Sequence, residues 1–323
     1  MKAIKCTGYG SPNVLKIVEI KKPSPKKNEV LVKNLVTTVT VGDCRIRGFN
    51  VPAHFWLAAR LMLGIFKPRK SILGVELAGT IEEAGRNARK FKAGDEVFAF
   101  TSRGFGANAE YVCVDESKCI AQKPKNLSFE QSAALSFGGI TALHFLKRGE
   151  IKAGEKILVY GASGSVGSSA VQLAKYLGAE VTGVCSGKNM ELVAGLGADN
   201  VIDYTKADLA DINEEYDLFF DTVGKADIQK SIRLIKPNGR YLHAVTDPFT
   251  VKKIESLLTG TGIKLIGGTY RASAEQINEI GRLAAEGAIK PVIDRTFNFN
   301  EIASAHEYVD KGHKVGNVVI KFS

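Results

Sequence analysis

Residues 156–188 read KILVYGASGSVGSSAVQLAKYLGAEVTGVCSGK, and this stretch decides the fold. A short apolar run at 156–160 enters a glycine-rich turn, an apolar-periodic segment continues to Gly178, and a second apolar run follows at 181–184. This order predicts strand, turn, helix, strand, which is the crossover that joins parallel strands.

The turn also predicts a site for a dinucleotide cofactor. Its glycines, Gly161, Gly164 and Gly167, let backbone N–H groups approach a diphosphate. The partial positive charge of the helix N-terminus stabilises that anion further. The G-x-x-G-x-x-G spacing is one residue longer in its first step than the standard fingerprint, and an ordinary loop is the alternative. Because a strand and a helix flank the turn as the motif demands, we favour the cofactor site.

Composition indicates a globular protein. The 323 residues are 45% hydrophobic and 24% charged, which excludes a disordered chain and predicts about two domains. The five cysteines are scattered without a C-x-x-C pair, so we expect reduced thiols. With no charged and apolar leader at the start, we expect a cytoplasmic protein.

The net charge of +10 could attract nucleic acid, an anionic membrane or a polyphosphate cofactor. The basic residues are spread along the chain, which favours a solvated basic surface over a nucleic-acid site.

Residues 1–122 predict a β-rich unit of barrel-like form. Short strand patterns separated by turn signals occur at 14–20, 29–41, 74–84, 96–100 and 109–114. The exception is 51–66, VPAHFWLAARLMLGIF, which is too short and too polar to span a membrane. This segment is either a core helix under a loop, or a lid beside a substrate pocket or a weak membrane-surface contact.

From Leu127 onward, helices and strands alternate. Ser128 and Gln131 have capping-box spacing and open a helix that stops near Leu135 and resumes after Gly138-Gly139. Further strands are predicted at 200–204, 218–222, 240–245 and 264–270, with a Pro-Asn-Gly turn at 237–239. With the first two strands they predict a doubly wound parallel sheet in the order 3-2-1-4-5-6.

The end of the second strand favours NADP(H) over NAD(H). NAD-binding sheets place an acidic residue there for the ribose hydroxyls, and that carboxylate repels a 2′-phosphate. This chain has Ser186 and Lys188 instead, which suit a phosphate, although Lys188 could simply be solvated. Tyr204, at the end of the third strand, can pack against the adenine or ribose.

The chain resembles the medium-chain dehydrogenase/reductase superfamily, and within it the zinc-free, zeta-crystallin-like quinone oxidoreductases. The matching pieces are ILGVELAGTIEEAG (72–85), FKAGDEVFAF (91–100), FGGITALHFL (137–146), GASGSVG (161–167), LGADNVIDY (196–204), GAIKPVID (287–294) and HKVGNVVI (313–320). The resemblance implies a mixed α/β fold, with a β-rich, GroES-like catalytic domain at 1–123 and 271–323 and a Rossmann NADP(H)-binding domain at 124–270. It also implies a homodimer.

Zinc-dependent relatives in this superfamily bind a catalytic metal through C-H-x-D, G-H-E and a further cysteine. Here the corresponding stretches are Thr40-Val41-Gly42-Asp43 and Gly74-Val75-Glu76, and 133–141 contains no cysteine. Threonine and valine cannot supply the thiolate and imidazole that tetrahedral zinc requires. We therefore predict no metal site, and hydride transfer to an acceptor that is already electron-poor.

The resemblance also places the site residues. Thr141 is expected near the nicotinamide, and Thr40 and Asp43 near the substrate. Residues 163–166 are expected to bind the diphosphate, and Val245, Thr246 and Thr269 to lie near the nicotinamide half. Helix packing for Thr141, a strand hydroxyl for Thr40 and a turn or cap for Asp43 are the structural alternatives. Related reductases have tyrosine where this chain has Arg45, which could contact cofactor phosphate, favour an acidic substrate or be solvated. The implied cofactor contacts are Ser163, Gly164, Ser165, Val166, Val245, Thr246 and Thr269.

The predicted function is an NADPH-dependent, zinc-independent oxidoreductase that transfers hydride to quinones or related activated carbonyls. The first alternative is a 2-alkenal or enone double-bond reductase. The second is an NADPH- or RNA-binding module without significant turnover, although the sequence lacks the interleaved aromatic and basic residues of an RNA surface.

Overall fold

The computed structural model describes residues 1–51, 56–245 and 248–322. The chain forms two compact units. The first comprises Met1–Ser136, Ala272–Ala285 and Val292–Ser323, and the second comprises Phe137–Arg271 and Glu286–Pro291. Among the helices of the described residues, none has the length and apolar character to cross a membrane.

The strands and helices are numbered in chain order. The strands are β1 (Lys2–Cys6), β2 (Leu15–Glu19), β3 (Glu29–Val39), β4 (Glu76–Ala84), β5 (Glu96–Phe100), β6 (Tyr111–Asp115), β7 (Ile120–Gln122), β8 (Lys156–Tyr160), β9 (Glu180–Cys185), β10 (Asn200–Asp203), β11 (Tyr216–Asp221), β12 (Ile235–His243), β13 (Lys264–Ile266), β14 (Ile293–Asn298) and β15 (Asn317–Lys321). The helices are α1 (Val41–Gly48), α2 (Trp56–Leu63), α3 (Phe129–Arg148), α4 (Ser165–Tyr176), α5 (Met190–Gly195), α6 (Ile228–Arg233), α7 (Pro248–Leu258), α8 (Ala274–Ala285) and α9 (Ile302–Asp310).

The first unit is built around the long strand β3. The sheet runs β14-β15-β3-β4-β5-β7, and β6 also pairs with β3. Register shifts beside Leu31 and Asn34 bend β3. Residues 30–37 pair with β4, while 29–33 pair with β6 and 36–39 pair with β15. One core cluster packs around Val32, Leu77 and Val97, and another around Leu15, Val39 and Val318. The predicted β-rich domain is confirmed.

The sequence analysis did not predict helix α1, because it extended the strand that begins at Glu29 as far as Val41. The strand ends at Val39, and Thr40 caps a helix of eight residues. The prediction was wrong because VGDCRIRG is short and contains glycine and β-branched residues, so its periodicity is weak.

The second unit contains a parallel sheet in the order β10-β9-β8-β11-β12-β13. Numbered within this sheet, that order is 3-2-1-4-5-6, so the predicted doubly wound topology is confirmed. The predicted first strand coincides with β8, and α4 and β9 follow it as expected. The core of this sheet includes Leu158, Phe219 and Tyr241, all fully buried.

Two local predictions in the sheet region were wrong. Helix α3 continues without interruption through Gly138 and Gly139. The Pro-Asn-Gly sequence at 237–239 lies inside β12 instead of before it. There two steps along β11, from Tyr216 to Leu218, match five along β12, so the chain bulges, with Asn238 at a φ of 62°.

The apolar segment 51–66 is only partly described. Residues 52–55 lie outside the described residues, and α2 follows them. Within α2, which is described throughout, Ala59 is the one buried residue. The expectation of a core helix is therefore wrong for this part, because its large apolar side chains face solvent.

Candidate active site

The glycine turn after β8 has a geometry that only glycine permits at two positions. Gly161 has a φ of 84°, in the left-handed region. A Cβ atom at position 167 would lie 2.1 Å from the Gly161 carbonyl oxygen and 2.8 Å from the Ala162 Cα. The turn therefore folds back against the first turn of α4 with no room for a side chain.

The N-terminus of α4 is open to an anion. Gly164 is its N-cap in extended backbone, and no side chain of the described residues caps it. The first N–H groups of a helix have no partner within it, so Ser165, Val166 and Gly167 present donors and the positive end of the helix dipole. The Ser165 hydroxyl is buried and has no hydrogen-bond partner in the described chain. This cradle fits a diphosphate.

The end of β9 is tied to the glycine turn by Asn189. Its side-chain amide donates to the Ser163 hydroxyl and to the Ser186 hydroxyl, both at 3.1 Å. Ser163 and Ser186 were predicted separately, and the structure brings them together. Sequence reasoning missed Asn189, whose only signal is an amide three residues after the serine that ends the strand.

Lys188 and Tyr204 are both exposed at this edge of the sheet, and the Tyr204 N–H donates to the Cys185 carbonyl. The sequence prediction overlooked the buried Asp203 beside them. Hydrogen bonds from the Thr205 hydroxyl and N–H and from the Gly187 N–H lower the pKa of Asp203. This carboxylate holds the 186–188 turn, while the lysine and the tyrosine remain free to meet solvent or ligand.

Helix α3 approaches α4 closely at Gly138. A Cβ atom there would lie 2.5 Å from the Ser165 carbonyl oxygen, which explains a glycine within an unbroken helix. Thr141 is three residues further along and therefore lies on the same helix face. It is 3% exposed, and its hydroxyl is 2.7 Å from the Tyr270 hydroxyl.

Tyr270 stacks on His144, with ring centroids 4.2 Å apart and planes at 17°. Burial, followed by the Arg148 charge, lowers the pKa of His144, so its imidazole is neutral at pH 7. His144 therefore packs as an uncharged ring between Tyr270 and Phe145. The sequence prediction placed Tyr270 at the end of a strand over 264–270, but β13 ends at Ile266 and Gly268 follows at a φ of 96°. The role of Tyr270 was missed because a tyrosine at that place carries no motif.

The loops after β11, β12 and β13 complete this edge of the sheet. The Thr222 hydroxyl donates to the Tyr160 carbonyl at 2.8 Å, which fastens the loop after β11 to the glycine turn. Val245 packs against Gly224, where a Cβ atom would lie 2.7 Å from the valine. Thr269 is exposed after β13. Thr246 lies outside the described residues.

In the first unit, Thr40 and Asp43 form a capping box at the start of α1. The Asp43 N–H donates to the Thr40 hydroxyl at 3.1 Å, and the Thr40 N–H and hydroxyl donate to Asp43 Oδ2 at 2.9 and 2.6 Å. The Gly74 N–H donates to Asp43 Oδ1 at 3.0 Å. Burial raises the pKa of Asp43, and these donors oppose that shift. The structure shows the capping role of this pair.

A second buried acid, Glu76, lies at the start of β4. It is fully buried, and it accepts hydrogen bonds from the hydroxyls of Thr38 and Ser136. Burial lowers the pKa of Lys314, and Glu76 is the main group that opposes this shift. Sequence reasoning used Glu76 only to count zinc ligands and missed Lys314.

Arg45, for which the sequence left open a contact with cofactor phosphate, a preference for an acidic substrate or simple solvation, is exposed on α1. Within residues 1–51, 56–245 and 248–322, no group of three or more His, Cys, Asp or Glu side chains could hold a metal ion.

Two family models match the chain. One, described as alcohol dehydrogenase GroES-like domain, matches residues 26–125, and the other, described as zinc-binding dehydrogenase, matches residues 196–320. The second match excludes residues 40, 75 and 133–141, where zinc-dependent members have their catalytic ligands. Its description therefore says nothing about metal at those positions.

Full-length relatives are similar along both units. The NADPH-dependent alkenal/one oxidoreductase of Arabidopsis thaliana chloroplasts is 33% identical over 99% of this chain and 79% of its own length. The chloroplast envelope quinone oxidoreductase homolog of the same plant is 31% identical over 99% of this chain and 98% of its own. The structure of the quinone oxidoreductase from Coxiella burnetii is 30% identical, with a TM-score of 0.89, over 100% of this chain and 99% of that one.

Proposed function

Since the chain belongs to the zinc-free quinone oxidoreductases of the medium-chain dehydrogenase/reductase superfamily, we propose that it is an NADPH-dependent reductase of quinones or related activated carbonyls. The observation that supports this most directly is the turn from Gly161 to Gly167, which has no room for a side chain at either of these two glycines and opens onto an uncapped helix N-terminus. Such a turn binds a dinucleotide diphosphate.

The residues of the second unit hold the cofactor in this proposal. Backbone N–H groups of 163–167 bind the diphosphate, and Asn189 links the Ser163 hydroxyl of this turn to the Ser186 hydroxyl after β9. Val245 and Thr269 are assigned to the nicotinamide half. Bound NADPH supplies the hydride.

The preference for NADPH over NADH is assigned to the end of β9. Lys188 is exposed there and provides a positive charge for the 2′-phosphate, and the Ser186 hydroxyl provides a donor. The aromatic ring of Tyr204 packs on the adenine or ribose. Asp203 is held by Thr205 and Gly187, so it does not take the place of the missing ribose-binding acid.

Residues that cannot bind zinc occupy the positions of the metal ligands on the acceptor side. We assign Thr141 to the nicotinamide and Thr40 to the acceptor, with the Thr40 hydroxyl held by the hydrogen bond that it donates to Asp43. Tyr270 fixes the Thr141 hydroxyl from the other side. Since Thr40 and Val75 stand where zinc-dependent relatives have their Cys and His ligands, the acceptor must be electron-poor by its own structure. Quinones and α,β-unsaturated carbonyls meet this requirement.

Reduction of a carbon–carbon double bond is the second candidate. It is favoured by the similarity to the protein named as an NADPH-dependent alkenal/one oxidoreductase. In that reaction the hydride goes to the carbon β to the carbonyl and a proton from solvent goes to the α carbon, so the product is the saturated carbonyl compound.

The experiment is a screen of NADPH oxidation, followed by absorbance, against a panel of quinones and enones. We expect turnover with at least one class. Deuterated NADPH then separates the two candidates, because deuterium is retained on carbon in a saturated ketone and lost from a hydroquinone by exchange. No turnover with any acceptor, together with salt-sensitive binding of labelled RNA, would favour a binding module instead.

Two further assignments belong to this proposal. We propose a homodimer, which light scattering after gel filtration would test by giving twice the mass of 34.8 kDa. We also propose a cytoplasmic location, supported by the free state of all five cysteines. Cell fractionation tests it, and enrichment in a secreted fraction would contradict it.

A further inference from the structure

The surface of α2 and the loop after it is unusually apolar for exposed residues. Six large apolar side chains within eleven positions are exposed, up to 86% for Phe66. Soluble monomers rarely expose contiguous apolar patches of this kind without an interaction partner. We call this surface the α2 patch; its apolar members are Trp56, Leu57, Leu61, Met62, Ile65 and Phe66.

The same segment is entirely basic in its charges. From Cys44 to Val75 there is no Asp or Glu, whereas there are six Arg or Lys residues. Arg47 is buried and paired with Asp310, and Arg60 is half-buried. The cations that remain exposed beside the apolar residues are Lys67, Arg69 and Lys70, with Arg45 on α1.

Specific contacts hold the α2 patch in its exposed position. The Arg60 guanidinium stacks on the rings of Tyr9, Phe49 and Trp56, at 4.7, 4.0 and 4.7 Å from their centroids. The Tyr9 hydroxyl donates to the Gly64 carbonyl at 2.9 Å. These contacts attach α2 to Tyr9 and Phe49 and leave its apolar side chains exposed.

The loop is closed by Arg69, which lies next to the exposed lysines. Its N–H donates to the Leu63 carbonyl at 2.7 Å, and its guanidinium donates to the Leu61 carbonyl at 2.8 Å. These bonds place the basic residues directly beside the last apolar ones. The α2 patch thus presents an apolar surface bordered by exposed basic residues, which form its cationic margin.

We propose that the α2 patch docks reversibly on the surface of an anionic lipid bilayer. Leu, Met, Ile, Phe and Trp side chains partition into the boundary between head groups and acyl chains, and Lys and Arg beside them bind anionic head groups. A short helix with few apolar residues gives weak, reversible attachment, in accord with the absence of a spanning helix in the described chain. This inference concerns where the protein works and is independent of its acceptor.

The charges and the apolar side chains of the α2 patch argue against two other binding partners, a second copy of this chain and a nucleic acid. A second copy docking through the same surface would bring the two basic margins together without any acid from 44–75 to neutralise them. A nucleic acid would match the charge but would leave Leu57, Leu61 and Phe66 without an apolar partner. An anionic bilayer satisfies both features.

The test is vesicle flotation of the full chain with phosphatidylcholine vesicles that contain or lack phosphatidylglycerol. One variant, F66S/K67E, removes an exposed apolar residue and reverses its lysine neighbour. Its matched control, I17S/K16E, makes the same two changes at an exposed pair on β2, so the net charge falls equally. We expect the wild type and the control to float only with anionic vesicles, and F66S/K67E to lose roughly tenfold or more in partitioning.

Salt provides a second readout. Added salt shortens the screening length, so the basic residues of the α2 patch should bind the anionic bilayer less tightly. Three results would overturn the proposal: equal loss of vesicle binding in both variants, wild-type binding that does not depend on phosphatidylglycerol, or no flotation of the wild type. Loss of a concentration-dependent dimer in F66S/K67E, with vesicle binding intact, would assign the patch to a second copy instead. A higher KM for a small quinone without vesicles, again with binding intact, would assign it to a lid.

Discussion

The turn after β8 and the segment around α1 and α2 differ in how far the sequence determines what they do. In the turn, the proposed cofactor site depends on the backbone: Gly161 adopts a positive φ, and Gly167 lies against a carbonyl. In the α1 and α2 segment, the arrangement depends on which distant side chains meet, such as Arg60 with Tyr9. A backbone requirement can be recognised in the sequence because it selects glycine. A contact between side chains that are distant in the sequence has no such signature.

The strongest test of the backbone argument is Gly167→Ala. The added Cβ would meet the Gly161 carbonyl at 2.1 Å, and displacing that backbone costs up to about 3 kcal/mol. If the displaced turn is the one that binds diphosphate, NADPH affinity falls by roughly a hundredfold. Fluorescence titration of NADPH measures the loss, and circular dichroism checks that the variant folds.

Gly195→Ala is the matched control, because a Cβ at that helical position meets nothing within 4 Å. Alanine there should leave NADPH affinity unchanged and stabilise the helix by about 1 kcal/mol or less. Unchanged NADPH affinity in folded Gly167→Ala would show that the turn is not the cofactor site.

Much of the second unit could be predicted because its signals are local. The apolar runs of β8 and β9, the glycines between them and the periodicity of α4 each lie within a few residues of one another. The contacts made by Asn189 and Tyr270 could not be predicted, because their partners lie 26 and 129 residues away. The bulge in β12 was missed for a related reason: Pro-Asn-Gly satisfies a turn equally well, and only pairing with β11 shows that the strand continues.

The first unit was less predictable at α1, whose stability comes from tertiary contacts. A helix of eight residues is marginal by itself, so its packing decides whether it forms. One such contact joins Cys44 of α1 to His306 of α9, with Sγ 3.3 Å from Nδ1.

His306 makes this packing measurable through pH. Burial, followed by the Arg47 charge, lowers the pKa of His306 to about 3, against an ordinary value of 6.5. Above pH 6.5 neither the folded nor the unfolded chain protonates it. Between pH 6.5 and 3 the unfolded chain gains a proton that the folded chain cannot accept, so stability falls as pH falls.

We therefore expect the wild type to lose about 2 kcal/mol of unfolding free energy through this residue between roughly pH 7.5 and pH 5. His306→Gln should lack that component, so the difference between the two proteins should shrink by the same amount at the lower pH. Urea unfolding at the two pH values measures it. A difference independent of pH would mean that His306 titrates normally and that α9 does not bury it against α1.

Lys188→Glu tests the side-chain part of the cofactor site. Placing a carboxylate where we propose that the 2′-phosphate binds should weaken NADPH at least about tenfold and leave NADH almost unchanged. Lys152→Glu is the control, since this exposed lysine precedes β8 and so lies at the opposite end of the strand. The ratio of kcat/KM for the two cofactors is the readout, and an equal fall for NADPH and NADH would contradict the assignment.

The smallest expected effect concerns the hydroxyl pair of Thr141 and Tyr270, which the sequence could only half predict. If Tyr270 acts by fixing the Thr141 hydroxyl at 2.7 Å, Thr141→Val and Tyr270→Phe should each lower kcat/KM several-fold. The double variant should be scarcely worse than either single one, with a coupling free energy of about 1 kcal/mol, because both changes break the same bond. Tyr176→Phe, at an exposed tyrosine at the end of α4, serves as the control and should have no effect. Additive losses would mean that the two hydroxyls act separately, and Tyr270 would then have to contact cofactor or acceptor itself.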